Sequence, residues 1–343
     1  MQLICKPAFI VLLISLIVSW PRAGESQVKK AETVRVSMAS FGAIYYPHLI
    51  AKEMGYYAEE GLNPEIILMR GNIATPALMT GDIQFNTSSG SALAAILRGF
   101  DLRVIYVTVD RPYYSIFSNR KELRAATDLK GKRIGIPGRG DSHHVATSLW
   151  LKKYGVDPER EIHWISTGPA TATRIAALVS GQVDAITSPP SGTYTLKTEY
   201  PAVYEIADLG REVKMLYTGL AVAKNLLDGR SEMVRRFLRG TVKGREFYKS
   251  FKDETLRLTK KYDANSEGSR KADYEITLQA MTKDGTEDLE TQKSDIEIGL
   301  RNLGLRTNVP PEGVFDFRLI GEVYKDLRAA NWKPSLTSKP VTK

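Results

Sequence analysis

Two stretches of this chain carry the same punctuation in the same order, and that repetition constrains the fold more than any other feature. The first runs through Gly61, Asn63-Pro64, Gly71 and Gly81-Asp82-Ile83-Gln84-Phe85. The second runs through Gly155, Asp157-Pro158, Gly168 and Gly181-Gln182-Val183-Asp184-Ala185. The offset is 94 residues at the first glycine and 100 at the last. Between these marks, short β-rich runs alternate with segments of helical spacing. Residues 34–38, 64–69 and 83–87 read as strands, with helices over 45–54, 74–79 and 91–97; 102–109 is a further β-rich run. Residues 133–136, 161–166 and 184–187 read as strands, with helices over 143–154 and 173–180. Strand–helix–strand units with right-handed crossovers build a parallel sheet covered by helices on both faces. Two such units predict an α/β chain of two lobes.

Past Gly210 the pattern changes. Residues 213–222 are expected to be a strand crossing back to the first lobe. From Ser231 the chain reads as helical, and Met233, Val234, Phe237, Leu238, Val242, Phe247 and Phe251 keep helical spacing over 231–251. Further helices are expected near 255–262, 272–281, 288–303 and 314–327. At 343 residues the chain is long enough for two separate cores. Its net charge of +9 is spread along the sequence. The nearest cluster, Arg235, Arg236, Arg239, Lys243 and Arg245, reads as the solvated face of a helix rather than a nucleic-acid footprint.

The one cysteine, Cys5, lies at the extreme N-terminus, before an apolar run over residues 8–20. Lys6 precedes that run, which is too short for a comfortable membrane span of about 20 residues. Together these read as a secretory signal over 1–26, with no clean cleavage pair, and imply export to the periplasm; a leader retained uncleaved as an anchor is the alternative. A mature chain without it has 46 basic and 38 acidic residues and no thiol. That excludes disulfides, Cys-ligated zinc, iron–sulfur clusters and cysteine nucleophiles.

Ligands of open α/β sheets bind beyond the carboxyl ends of strands, where helix N-termini expose bare N–H groups. Four such junctions are rich in small polar residues: Ser40-Phe41-Gly42, Asn86 to Ser91, Gly138 to His143, and Thr187 to Ser191. Two come from each lobe, so a ligand between the lobes touches all four. Ser88, Ser91 and Ser142 also suit helix N-caps. Arg139 suits an anion clamp or a solvated loop. Tyr45, Tyr46, Tyr113 and Tyr114 suit either stacking on a ligand or the core. The adjacent His143 and His144 point to different helix faces, so no metal site is expected, and His143 is taken to line the cleft. The set expected to bind ligand is Ser40, Phe41, Tyr46, Asn86, Ser88, Ser89, Tyr113, Arg139, Ser142, His143, Thr187 and Ser188. Gly135-Ile-Pro-Gly-Arg-Gly140 does not match a dinucleotide loop, and no P-loop, G-x-S-x-G or H-E-x-x-H occurs. No catalytic residue and no cofactor are expected.

Three segments resemble the ABC-importer binding proteins for nitrate, sulfonate, taurine and thiamine precursors. They are Ile50-Ala-Lys-Glu-Met-Gly-Tyr-Tyr-Ala-Glu-Glu-Gly-Leu62, Gly81 to Leu93 with Ile96-Leu-Arg-Gly99 after it, and Asp128-Leu-Lys-Gly-Lys-Arg-Ile-Gly-Ile136. The resemblance covers roughly residues 34–250. It implies a type II periplasmic-binding fold, two lobes joined by two crossing strands near 117–120 and 214–219, and closure about a hinge. The layout it implies is a signal over 1–26, lobe 1 from 33–118 plus 218–332, lobe 2 over 119–217, and a disordered tail over 333–343. It places ligand contacts at Ser40, Phe41, Asn86, Ser88, Ser142, Thr187 and Ser188. The implied function is capture of a small organic solute, an anion or a polar heteroaromatic, for delivery by a monomeric binding protein to an ABC permease, with no nucleic acid involved. Two other readings use the same lobes: a TRAP-type or sensory receptor, and a pyrimidine-forming thiamine-biosynthesis enzyme. The enzymes rely on a cysteine-rich segment and a reactive lysine.

Overall fold

The computed structural model describes residues 31–337. The leader expected over 1–26 and the end of the expected tail, 338–343, lie outside the described residues. Among the described residues, ten strands form two five-stranded sheets. The first holds β1 (Glu32–Met38), β2 (Leu62–Leu68), β3 (Phe85–Asn86), β4 (Leu102–Val109) and β10 (Thr218–Ala223) in the order β2-β1-β3-β10-β4. The second holds β5 (Ser115–Ser118), β6 (Arg133–Ile136), β7 (His163–Ser166), β8 (Ala185–Ser188) and β9 (Tyr204–Asp208) in the order β7-β6-β8-β5-β9.

The two orders are the same topology written twice. In each, three strands run parallel, and the fourth place is taken by an antiparallel strand that arrives from the other half of the molecule. The repeated glycines have a common cause. Gly81 and Gly181 follow the helices Gly71–Thr80 and Thr171–Val179 at φ +83° and +73°, the left-handed region that only glycine enters without strain.

The first crossing falls earlier than expected, and the return falls close to where it was expected. Ser115–Ser118 pairs with β8 and β9, so the chain has already left the first sheet before Phe117. The first change of sheet is within 110–114, and the return is within 213–217, since β10 begins only at Thr218. β9 was not foreseen, because Tyr204–Asp208 lacks clear alternation and is partly exposed along its length.

Both faces of each sheet are covered, and each face carries its own apolar cluster. On one face of the first sheet, Phe85 stacks on Phe237 of the long helix Ser231–Ser250 at 3.8 Å between ring centres, and Tyr57 stacks on the same ring at 4.7 Å. Six of the seven positions picked out by helical spacing over 231–251 are buried here, and Phe251 is partly so. The helix packs this closely because of Gly244: a Cβ there would lie 2.1 Å from the Pro47 carbonyl oxygen of the helix Tyr46–Glu53.

The basic cluster on that long helix is not a solvated face. Arg239 and Lys243 both reach Glu60, at 2.7 and 3.0 Å, and Arg236 reaches Glu32 at 2.8 Å. Arg245 is fully buried, donating to the Thr282 and Lys283 carbonyls and to Tyr324. Periodicity separates apolar from charged positions, but it does not show that the charged side will be covered by acidic partners far along the chain. Among the described residues, no helix is long and apolar enough to cross a membrane.

Candidate functional site

The carboxyl ends of β1, β3, β6 and β8 lead into the four junctions singled out in the sequence, and two cavities lie among them. One, of about 520 Å³, is lined from the first half by Ser88 and Ser91, from the second by Asp141 and Ser142, and by Tyr217 of the return crossing. The helix Leu289–Asn302 closes it with Asp295 and Asn302. The other, of about 530 Å³, is lined by Ser40, Phe41, Tyr113, Ser191, Tyr262 and the carboxylates Asp263 and Asp273, among others.

A tyrosine cluster from the two crossings stands between the cavities. Tyr113 meets Tyr217 edge-on, with ring centres 4.8 Å apart. The Tyr114 hydroxyl lies 2.6 Å from that of Tyr217 and 2.7 Å from Ser142 Oγ. Burial pushes all three phenols well above their usual range, so they remain neutral. The segments that cross between the two sheets are thus part of the cleft wall.

Five of the twelve expected residues line a cavity: Ser88 and Ser142 the first, Ser40, Phe41 and Tyr113 the second. The others stand behind them or apart. Asn86 is fully buried; its Oδ1 accepts from Ser37 Oγ (3.0 Å) and from the Ser88 backbone N–H (2.8 Å), and its Nδ2 donates to Thr75 Oγ1 (3.1 Å). It shapes the turn that presents Ser88. Ser89 is buried one position further on. Tyr46 lies in the core and donates to Asp263 at 2.6 Å. His143 stacks on Tyr114 at 3.6 Å and shares a 2.8 Å hydrogen bond with Thr187 Oγ1. Burial, helped by the Arg174 charge, holds this imidazole well below its usual pKa and therefore neutral. Thr187 and Ser188 are fully buried. Arg139 is exposed and paired with Glu159 on the outside of the second half.

The helix Ser142–Lys153 is capped not by Ser142 but by Asp141, whose Oδ1 accepts from the His144 N–H at 2.9 Å. This leaves the Ser142 hydroxyl for Tyr114 and the cavity.

Arg174 was not foreseen. It is 1% exposed, and its guanidinium donates to the Thr187 carbonyl (3.1 Å), the Gly168 carbonyl (3.3 Å) and Thr171 Oγ1 (3.2 Å). It joins the loop after β7 to the end of β8. Asp263, Asp273 and Asp295 were also missed, because each comes from the C-terminal helical region, over 70 residues beyond the last expected junction. Asp273 is pushed up to about 7, mainly by burial and further by the Asp263 charge. The charged residues lining the two cavities are Asp141, Asp295, Asp263 and Asp273; among the described residues no lysine, arginine or histidine lines either one.

A family model described as NMT1/THI5 like matches residues 44–254. The chain belongs to this family. It is 27% identical over 258 residues to a formylaminopyrimidine-binding protein of Halalkalibacterium halodurans, covering 68% of this chain and 72% of the relative. It is 26% identical over 217 residues to the riboflavin-binding protein RibY of Chloroflexus aurantiacus, covering 58% of this chain and 57% of the relative. The fold matches that of a sulfonate ABC transporter's periplasmic binding protein from Methylobacillus flagellatus with a TM-score of 0.73 at 16% identity, over 90% of this chain and 98% of the other. The desulfurization enzyme DSZB also matches, with a TM-score of 0.61 at 16% identity over 86% and 99%. At such identities the likeness establishes the fold. The expected α/β architecture of the periplasmic-binding type is thereby borne out, as is the family resemblance, and the same fold carries both receptors and an enzyme.

Proposed function

We propose that this chain is the solute-binding component of an ABC importer and that its solute is a small polar heteroaromatic compound. The solute lies in the cleft, between the serine-rich junctions and the tyrosines of the crossings, and the two halves close on it by bending at 110–114 and 213–217. Closure is a shift toward a state that the solute stabilises. One observation carries the choice of solute class: both cavities are walled by aromatic rings, hydroxyls and carboxylates, with no basic side chain among the lining residues. Aromatic faces favour flat rings, and carboxylates accept N–H donors but oppose a second anion. Of the two solute classes expected from the sequence, the anion therefore has no charge partner in the cleft. The pyrimidine and flavin named for the two relatives fit the same chemistry.

The proposed role is capture rather than turnover. His143, behind the cleft wall, is stacked, hydrogen-bonded and held neutral by burial, which suits a positioning group. Export to the periplasm and delivery to a permease belong to the same proposal. Calorimetric titration and thermal shift against aminopyrimidines, flavins, alkanesulfonates and sugars provide the test. Binding of a nitrogen heteroaromatic at micromolar affinity, with no product formed, is expected. Binding confined to sulfonates or sugars overturns the solute class, and turnover of a bound compound overturns the receptor reading.

A further inference from the structure

The wall of the first cavity contains an arrangement that the tyrosine and serine lining does not explain. Asp295, on the helix Leu289–Asn302, is 6% exposed and faces the cavity. Its Oδ2 accepts the Leu216 backbone N–H of the return crossing at 2.8 Å. Behind it stands Glu287, 4% exposed, and neither oxygen of its carboxyl group meets a hydrogen-bond donor in the chain. A buried carboxylate without a donor is among the costliest groups a fold can hold. The nearby cations do not relieve it. Lys214 is held by Asp288 at 2.7 Å, and Arg111 lies 3.7 Å from Asp110. Asp110 and Asp288 add negative charge around the pair, and Asp141 faces the same cavity from the other half.

We infer that Glu287 and Asp295 form a carboxylic acid–carboxylate pair that presents one fixed hydrogen-bond acceptor to the cleft and selects a solute carrying an N–H donor at that wall. The pair holds one proton on Glu287, whose O–H is aimed at Asp295. Asp295 keeps the negative charge because it alone receives a backbone N–H. Its remaining lone pairs face the cavity, where an exocyclic amine or a ring N–H of the solute completes the set that the chain leaves open. Because Leu216 belongs to the return crossing, the same carboxylate ties the solute to the segment that bends on closure.

Proton linkage follows. Burial and the surrounding acids raise both groups above the ordinary carboxylate range, Glu287 more than Asp295. As pH falls toward 5, Asp295 gains a proton and ceases to be a pure acceptor, so affinity for an N–H donor falls.

This inference rests on the solute-binding reading, and the experiment separates the two. The probes are 2-aminopyrimidine, which stays neutral from pH 5.5 to 8.5, pyrimidine without the exocyclic donor, and an alkanesulfonate, titrated calorimetrically into the full chain and into Asp295→Asn at pH 5.5 and 8.5, in buffers of different ionisation enthalpy. Wild type is expected to bind 2-aminopyrimidine at least fivefold more weakly at pH 5.5 than at 8.5, with proton uptake or release that depends on buffer. Asp295→Asn is expected to bind it at least tenfold more weakly at pH 8.5 and to show less than a twofold change with pH. Equal binding of 2-aminopyrimidine by both proteins, or preference for pyrimidine or the sulfonate, overturns the inference and leaves the solute-binding reading standing. Binding of none of the probes, nor of any member of the wider panel, overturns both. Circular dichroism and melting of the Asn variant confirm that a loss of binding is not a loss of fold.

Discussion

Replacing Glu287 by glutamine tests the buried pair without any ligand. The Glu287 carboxyl group is held above its usual range by burial first and by Asp295 next, so the folded chain keeps a proton there that the unfolded chain releases near pH 4.3. For a raised acid, the folded state binds more protons than the unfolded state between the two pKa values. Stability therefore falls as pH rises through that window and is highest below it. Each pH unit above the unfolded value costs about 1.4 kcal/mol, giving a ceiling of roughly 4 kcal/mol at pH 7.5. Glutamine has the shape of the neutral acid and carries no such cost. Relaxation around the site reduces the gain to about 2 kcal/mol. With a melting entropy of about 0.6 kcal/mol/K for a chain of roughly 300 residues, that corresponds to a rise of about 3 °C at pH 8. Differential scanning calorimetry of both proteins from pH 4.5 to 8.5 is the assay. The two should melt together at pH 4.5 and diverge steadily above it, with Glu287→Gln the more stable. A glutamine variant whose advantage does not grow as pH rises, or that loses ground to the parent toward pH 8, would refute the reasoning, since either requires a Glu287 whose pKa is not raised by folding.

Arg174→Met removes three hydrogen bonds from a buried guanidinium and unties the loop after β7 from the end of β8. A loss of about 2–4 kcal/mol in urea unfolding is expected, with faster hydrogen exchange at Gly168 and Thr187. Asn86→Ala strands Ser37 Oγ, Thr75 Oγ1 and the Ser88 N–H. It should lower stability by about 2 kcal/mol as well as weaken binding, whereas a purely ligand-contacting residue would leave the melting temperature unchanged. Gly268→Val places a side chain where a Cβ already comes 2.5 Å from Tyr194 Oη, at the contact between the helices Glu267–Ala280 and Pro190–Glu199. Because those helices come from opposite sides of the cleft, the variant should widen it. Small-angle scattering should report a larger radius of gyration and titration a weaker affinity, and unchanged values of both would show that the contact does not gate closure.

Much of this architecture could be read from local chemistry. Gly81 and Gly181 end equivalent helices because the left-handed turn there excludes other side chains, and that requirement is visible wherever it recurs. The strands of the two repeated units and the apolar stripe of 231–250 are set by periods of 2 and 3.6 residues, which need no knowledge of the rest of the molecule. The four polar junctions were found for the same reason. Their fine structure was not: Ser142 and Asp141 are both good cap residues, and only the packed geometry assigns the cap to Asp141 and the hydroxyl to Tyr114. Tyr114 and Tyr217 are over 100 residues apart, and no local pattern pairs them.

Sequence alone thus determined the class of fold, the duplication and the strand ends that face a ligand, because backbone sterics and side-chain periodicity act within a few residues. The tertiary structure decided where the chain changes sheets, which charged residues are covered, and that the cleft is acidic despite a basic chain. Those outcomes depend on which distant side chains share a low-dielectric space, as Glu287, Asp295 and Leu216 do, and burial and charge at such a site are properties of the assembled neighbours rather than of any segment.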